Sequence, residues 1–317
     1  MDEKLKKSVL QTLAYFDIFD CPLTSEELYH FLWQPDVESK YTEFVNQLQQ
    51  LEHFEHLQHQ KGFYFLQGRE KIVGGRQKRV KFVEEKMKIA RRGIKKLRWL
   101  PFVRSVFVCN TVASAGVTEE SDVDVFIIVR KGRLWLTRLL VTLILSLFRL
   151  RRNKIKVKNK ICLSFYTVDN CLNLKDVAIE GNDIYLMYWL AQLIPVYDPD
   201  NLLNNIQKEN EWVKEYISSA FEPYDILYRW EVVDSKSSRG VKIFFEEMWS
   251  GGYGNMLNKQ AKSVQLSKMK KNLESVQNEK DTRVVISDER LKFHENDRRR
   301  EYREKWLETC QRLDVPG

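Results

Sequence analysis

The stretch Val106-Phe-Val-Cys-Asn-Thr-Val-Ala-Ser-Ala-Gly-Val-Thr-Glu-Glu-Ser-Asp-Val-Asp-Val-Phe-Ile-Ile-Val129 decides how the rest of this chain is read. Two apolar runs flank a turn, which predicts two strands of one sheet. Strand residues two apart point to the same face. Asp122 and Asp124 therefore project together, while Val123, Val125 and Ile127 turn the other way into packing. Paired carboxylates on one rigid strand suit Mg²⁺, with Mn²⁺ as the alternative, because a hard cation takes oxygen ligands and leaves positions for water and phosphate oxygens. After Cys109 the pattern predicts a tight turn at Asn110 and Thr111 leading into a short helix, whose free N–H groups would receive phosphate. Ser121 is expected to cap or brace the entry to the second strand.

Working outward, a predicted helix from Leu134 to Leu150 and a strand from Ile161 to Tyr166 follow the two strands, the pattern of a small mixed α+β sheet core. Upstream, Val80, Val83, Met87, Ala90, Ile94 and Leu97 step by three and four, giving a basic amphipathic helix that ends before Pro101. Nearer the start, Leu5, Val9, Leu13 and Phe16 mark one helix, Thr24 with Glu27 caps a second, and Tyr41, Phe44, Leu48 and Leu51 line a third. With the short strand at Gly62–Gly68, this pattern resembles a winged helix-turn-helix. Downstream, Asp183 to Ile194 reads as a core helix and Asn201 to Ala220 as further helix. Phe221 to Arg239 reads as irregular and Val241 to Glu279 as helical with a break at Ser250-Gly-Gly-Tyr-Gly254. Arg283–Ile286 reads as a short strand, and Glu289 to Leu313 as a final helix on which His294 and Arg298 share a face. The organisation expected is a winged-helix-like domain (1–68), a basic connecting helix (69–100), the sheet domain (101–200) and a mainly helical C-terminal region (201–317).

The central stretch resembles the DNA polymerase β-like nucleotidyltransferase superfamily, whose hallmark is strand, Gly-Ser turn, short helix, then Asp-x-Asp on the next strand. Asn110 stands fourteen residues before Asp124, Ala113 falls on the family's alanine, and Glu120-Ser121-Asp122-Val123-Asp124 reproduces the downstream half. The chain departs from the pattern at Asn110-Thr111, where the family has Gly-Ser, and at Ala115, where the helix glycine is displaced to Gly116. The family's third carboxylate is also missing from the strand Lys160–Tyr166, where Ser164 is the polar residue nearest its place and Asp169 a weak substitute beyond the strand. The resemblance implies Mg²⁺-dependent transfer of a nucleoside monophosphate from an NTP to a hydroxyl acceptor. Asp122 and Asp124 would be catalytic and metal-binding, and Asn110, Thr111 and Ser121 would contact the nucleotide. The alternative is a catalytically degenerate relative that binds nucleotide and nucleic acid or a partner protein. A catalyst is expected to bring a carboxylate, such as Asp169 or Asp183, within metal reach of Asp122.

Composition narrows the classes further. The 317 residues are 43% hydrophobic and 30% charged, which suits domains with real cores and excludes a disordered chain. Five cysteines without a Cys-x-x-Cys pair argue against zinc ribbons and disulfide frameworks and suggest a reducing compartment. With no signal-like or membrane-length apolar segment read in the sequence, a cytoplasmic protein without membrane contact is expected. The net charge of +8 is concentrated: Arg69 to Arg104 holds fourteen Lys/Arg against three Glu, and Arg130 to Lys160 eleven against none. Such segregation points to a polyanion, either an NTP or nucleic acid bound through the basic helices. The series His53, His56 and His59 drifts around a helix with no carboxylate or thiolate to complete a metal site, so it reads as solvated surface.

Overall fold

A computed structural model describes residues 3–35, 40–51, 56–114, 116–222, 228–271, 276–277, 279 and 281–317. His53 and Ala115 lie outside the described residues. The chain opens with helices α1 (Glu3–Asp17), α2 (Ser25–His30) and α3 (Tyr41–Leu51), followed by a hairpin of β1 (Leu57–Gln60) and β2 (Phe63–Leu66). The expected capping box forms: Thr24 Oγ1 accepts from the Glu27 amide at 3.2 Å, and the Glu27 carboxylate accepts from the Thr24 amide at 3.0 Å. Lys61 and Gly62 both take positive φ, as the two centre residues of a type I′ hairpin turn require.

A long helix, α4 (Lys71–Leu97), leads to the sheet elements β3 (Val103–Val108) and β4 (Val123–Val129), then α5 (Leu134–Leu147), β5 (Ile161–Val168), α6 (Ile184–Ala191) and β6 (Ile194–Tyr197). The remaining elements are α7 (Leu202–Glu209), α8 (Lys236–Met248), α9 (Gly252–Lys270), β7 (Val284–Ile286), β8 (Arg290–Phe293) and α10 (Arg299–Arg312). Six strands form one mixed sheet in the order β6-β3-β4-β5-β8-β7, with β4–β5 parallel and every other pairing antiparallel. The fold is thus α+β around a mixed six-stranded sheet.

Period-two alternation divides the interior into two cores. Val123, Val125, Ile127 and Val129 face α4 and α5, packing with Ala90, Ile94, Trp135 and Leu145. On the opposite face Phe126, Ile128, Phe107 and Phe165 pack with Tyr188 and Trp189 of α6, with α1 and with Trp306 of α10. The Trp306 indole donates to the Gln11 carbonyl at 3.0 Å, so the first and last helices share one core. Asp124 lies on the same sheet face as Phe126, at the mouth of this second core.

Several sequence expectations are corrected. The segment after β3 forms a single turn, closed by the Ser114 amide donating to the Asn110 carbonyl at 3.0 Å, and no helix is present there among the described residues. The core helix stops at Ala191, and Ile194–Tyr197 becomes an edge strand, the place in a sheet where Pro195 is tolerated. Arg290–Phe293 is a strand paired with β5 and β7 rather than the start of the last helix, so His294 sits in a loop and shares no helix face with Arg298. The cause is that Arg290 and Lys292 are buried by polar partners. Arg290 donates to the carbonyls of Cys171 and Asn173, and Lys292 to that of Thr282. Helix α8 begins at Lys236, inside the stretch read as irregular, behind a Ser235–Ser238 capping box. Past α7 the chain continues only as a 3₁₀ turn at Glu211–Glu215.

Candidate functional site

Asp122 precedes β4 and Asp124 lies within it, where Asp124 pairs in register with Cys162 on the parallel neighbour β5. One donor atom from each of Asp122, Asp124 and Cys162 falls within 4.8 Å of the others. The Arg152 guanidinium reaches into this group, donating to Asp122 Oδ2 at 2.7 Å and to Cys162 Sγ at 3.6 Å. Burial, followed by the charge of Asp122, pushes the Asp124 carboxyl up to about 6, and hydrogen bonds from Asn110 and Cys162 only partly oppose this. Burial and the two carboxylates push the Cys162 thiol up to about 12.

Asn110 takes a left-handed backbone with φ of 57°, the conformation its position at a turn predicts. Its Oδ1 accepts from the Tyr185 hydroxyl at 3.1 Å, which leaves the amide nitrogen to donate to Asp124. Thr111 is exposed and lines a smaller neighbouring cavity rather than the aspartate cleft. Ser121 braces its own turn: its hydroxyl accepts from the Thr118 amide at 2.9 Å, and it does not line the cleft. The structure therefore brings Asn110 together with Asp122 and Asp124, and sets Thr111 and Ser121 to the side.

Neither carboxylate expected as a third member joins the group. Asp169 lies beyond the far end of β5, accepting from the Lys131 amide at 3.0 Å and facing Arg104 at 3.8 Å. Asp183 caps α6 and pairs with Arg299 at 2.6 Å. The residue beside Asp124 on β5 is Cys162, which the sequence reading passed over in favour of Ser164. The strand itself was legible, but the register that sets Cys162 against Asp124 was not.

Asp124, with Asn110, Arg152 and Cys162, opens onto a cleft of about 400 Å³ that the segment from Lys292 to Arg299 also lines. Ser164 Oγ and His294 Nε2 meet there at 3.2 Å. Burial and the neighbouring Lys292 depress His294 to about 3, so its imidazole is neutral at ordinary pH. Burial also lowers Lys292 to about 8, Arg299 adding to the effect and Asp297 opposing it. Beyond Asn110 and Tyr185 the cleft adjoins a second cavity of about 140 Å³ walled by Phe19, Trp189 and Tyr302. Nothing in the sequence marks the strand that delivers His294, which is why its spacing predicts a helix position there.

Much of the basic excess is spent internally. Arg69 pairs with Asp17 at 2.7 Å, Arg76 pairs with Glu27, and Arg79 donates to the Phe19 and Asp20 carbonyls, binding α4 to the first two helices. Arg133 holds the carbonyls of Trp249 and Ser250, and Lys158 pairs with Glu119 and Glu120. No helix among the described residues is long and apolar enough to cross a membrane.

The donor set can be tested against the cation the resemblance implies. Two neighbouring carboxylates from one strand entry, that of Asp124 lining an open cleft, match the one or two carboxylates that Mg²⁺ ordinarily takes from protein. A neutral thiol adds nothing for such an ion. Comparison with protein-family models, with curated proteins and with solved structures returns no match.

Proposed function

We propose that this chain is a nucleotidyltransferase-like protein that binds an NTP with a divalent cation at Asp122 and Asp124 and moves a nucleoside monophosphate to a hydroxyl acceptor. In this reading 101–200 is the nucleotidyltransferase-like unit, 1–68 is winged-helix-like, and the C-terminal region closes the cleft. The observation that carries it is Asp124 lining a 400 Å³ cleft with Asp122 beside it, at the spacing from Asn110 that the family resemblance requires.

Asp122 and Asp124 would hold Mg²⁺ or Mn²⁺, which when bound neutralises charge developing on the transferring phosphoryl group. Asn110 orients Asp124 by its amide and is itself fixed by Tyr185. Arg152, 43% exposed along its side chain, can leave Asp122 for a phosphate oxygen. The proton of the acceptor hydroxyl has only a weak base to go to, since the neutral His294 imidazole in the cleft has its basicity lowered. A missing general base costs on the order of 100-fold to 10,000-fold, so transfer is expected to be slow.

A second reading, a sensor that binds nucleotide without transfer, is favoured by one observation: a thiol stands where a third carboxylate would complete the catalyst. Both are tested by incubating the protein with each α-labelled NTP, Mg²⁺ or Mn²⁺ and an RNA and protein extract, beside Asp122→Ala/Asp124→Ala. Label transferred by the wild type alone supports the transferase. Metal-dependent nucleotide binding without transfer, lost in the variant, supports the sensor, and absence of both overturns the assignment.

A further inference from the structure

The third donor beside the aspartates is sulfur, and it changes which cation the site prefers. We propose that Asp122, Asp124 and Cys162 form a mixed oxygen–sulfur site selecting a thiophilic divalent cation of the Zn²⁺ and Co²⁺ class over Mg²⁺, which rests on the reading that the paired aspartates hold metal. Three observations converge on it. The donors come from two hydrogen-bonded strands, with Asp124 and Cys162 paired in register, so sheet geometry holds the sulfur against the carboxylates. Their donor atoms lie within 4.8 Å of one another, close to the span of two bonds of about 2.0–2.3 Å to one ion. The Arg152 guanidinium already bridges Asp122 and Cys162, a cation drawn to the place between these donors.

Hard Mg²⁺ gains nothing from sulfur, whereas Zn²⁺ and Co²⁺ bind carboxylate and thiolate alike. Three protein donors leave a coordination position open toward the cleft, the form of an open rather than a closed zinc site. When the metal–sulfur bond forms, the thiol proton passes to solvent, and no electron transfer is involved. Among the other cysteines, Cys109 adjoins Asp124, its amide donating to the Asp124 carbonyl at 3.2 Å, but is outside the three-donor group; Cys21 and Cys310 are buried, and Cys171 is held by Arg290.

The test is a Co²⁺ titration of chelator-stripped full-length protein, following the near-ultraviolet sulfur-to-cobalt charge-transfer band, for wild type, Cys162→Ser, Cys162→Asp and Asp124→Asn. The wild type is expected to show the band, to lose it on addition of Zn²⁺, and to keep it in a large excess of Mg²⁺. Cys162→Ser is expected to lack the band and bind Co²⁺ at least about ten-fold more weakly, with an unchanged melting curve in chelator. Cys162→Asp should shift preference toward Mg²⁺. Co²⁺ binding without the band, or equal Co²⁺ affinity in Cys162→Ser, overturns the sulfur ligand. If Mn²⁺ still binds and Asp124→Asn abolishes that binding, the aspartate reading stands while this one falls. Failure of the wild type to bind any of these cations overturns both.

Discussion

At the residue scale, two groups in the cleft tilt stability in opposite directions with pH. Asp124 has its folded pKa raised to about 6, so in metal-free protein its contribution is fully present below the ordinary carboxylate range and is lost as pH rises through 6. Asp124→Asn removes that loss. Thermal melts in chelator should therefore show the variant several degrees more stable than wild type at pH 8, with the difference shrinking toward pH 4. His294 behaves conversely. Its folded pKa is depressed to about 3, so its contribution is present above the free-imidazole value and drains away as pH falls from there toward 3. His294→Asn should flatten the acid limb of denaturant-derived stability between pH 6.5 and 4 by up to about one proton's worth of slope, and an unaltered limb would show that the ring is solvated. The aspartates were legible because alternation fixes which residues share a strand face. Cys162 and His294 were not, because their roles depend on which strands neighbour one another.

At the element scale, the strands that could be read were those built from apolar runs, β2, β3, β4, β5 and β7. Among those missed were four-residue strands whose signals conflict: β6 contains a proline, and β8 alternates two buried cations with Leu291 and Phe293. Charged side chains reach the interior there only because backbone carbonyls wait for them, and a sequence does not display those acceptors. The break between α8 and α9 was read correctly and has a steric reason. A Cβ on Gly254 would stand 1.8 Å from the Trp249 carbonyl oxygen, which belongs to rigid backbone at the corner. That same carbonyl accepts from Arg133 at 2.9 Å, tying the corner to the start of α5. Gly254→Ala must therefore open the corner and loosen the α5–α9 packing, costing about 1–3 kcal/mol as overpacking does. Chemical denaturation should register it as a lower midpoint, whereas Gly252→Ala, with nothing near its Cβ, should be nearly silent.

At the scale of the whole molecule, charge segregation was plain in the sequence, but its purpose divides once the chain is folded. Arg76 and Arg79 of α4, with Arg69 just before it, serve as struts to α1, α2 and their connecting loop. Lys78, Lys81, Lys88 and Arg92 instead point outward and are exposed. This second set is open to a polyanion while the first is engaged, so the two sets make separable predictions. Replacing Lys78, Lys81, Lys88 and Arg92 by Ala should leave the melting temperature near wild type. If α4 carries nucleic acid, the same change should lower RNA affinity and reduce the salt slope by about 0.7 for each lost phosphate contact. Arg76→Ala, which strands the partly buried Glu27, should lower the melting temperature whether or not any nucleic acid binds. Anisotropy of a labelled single-stranded RNA across a salt series reads the first set, and thermal denaturation reads the second. A quadruple variant with unaltered affinity and slope would assign α4 wholly to holding the first two helices against the sheet.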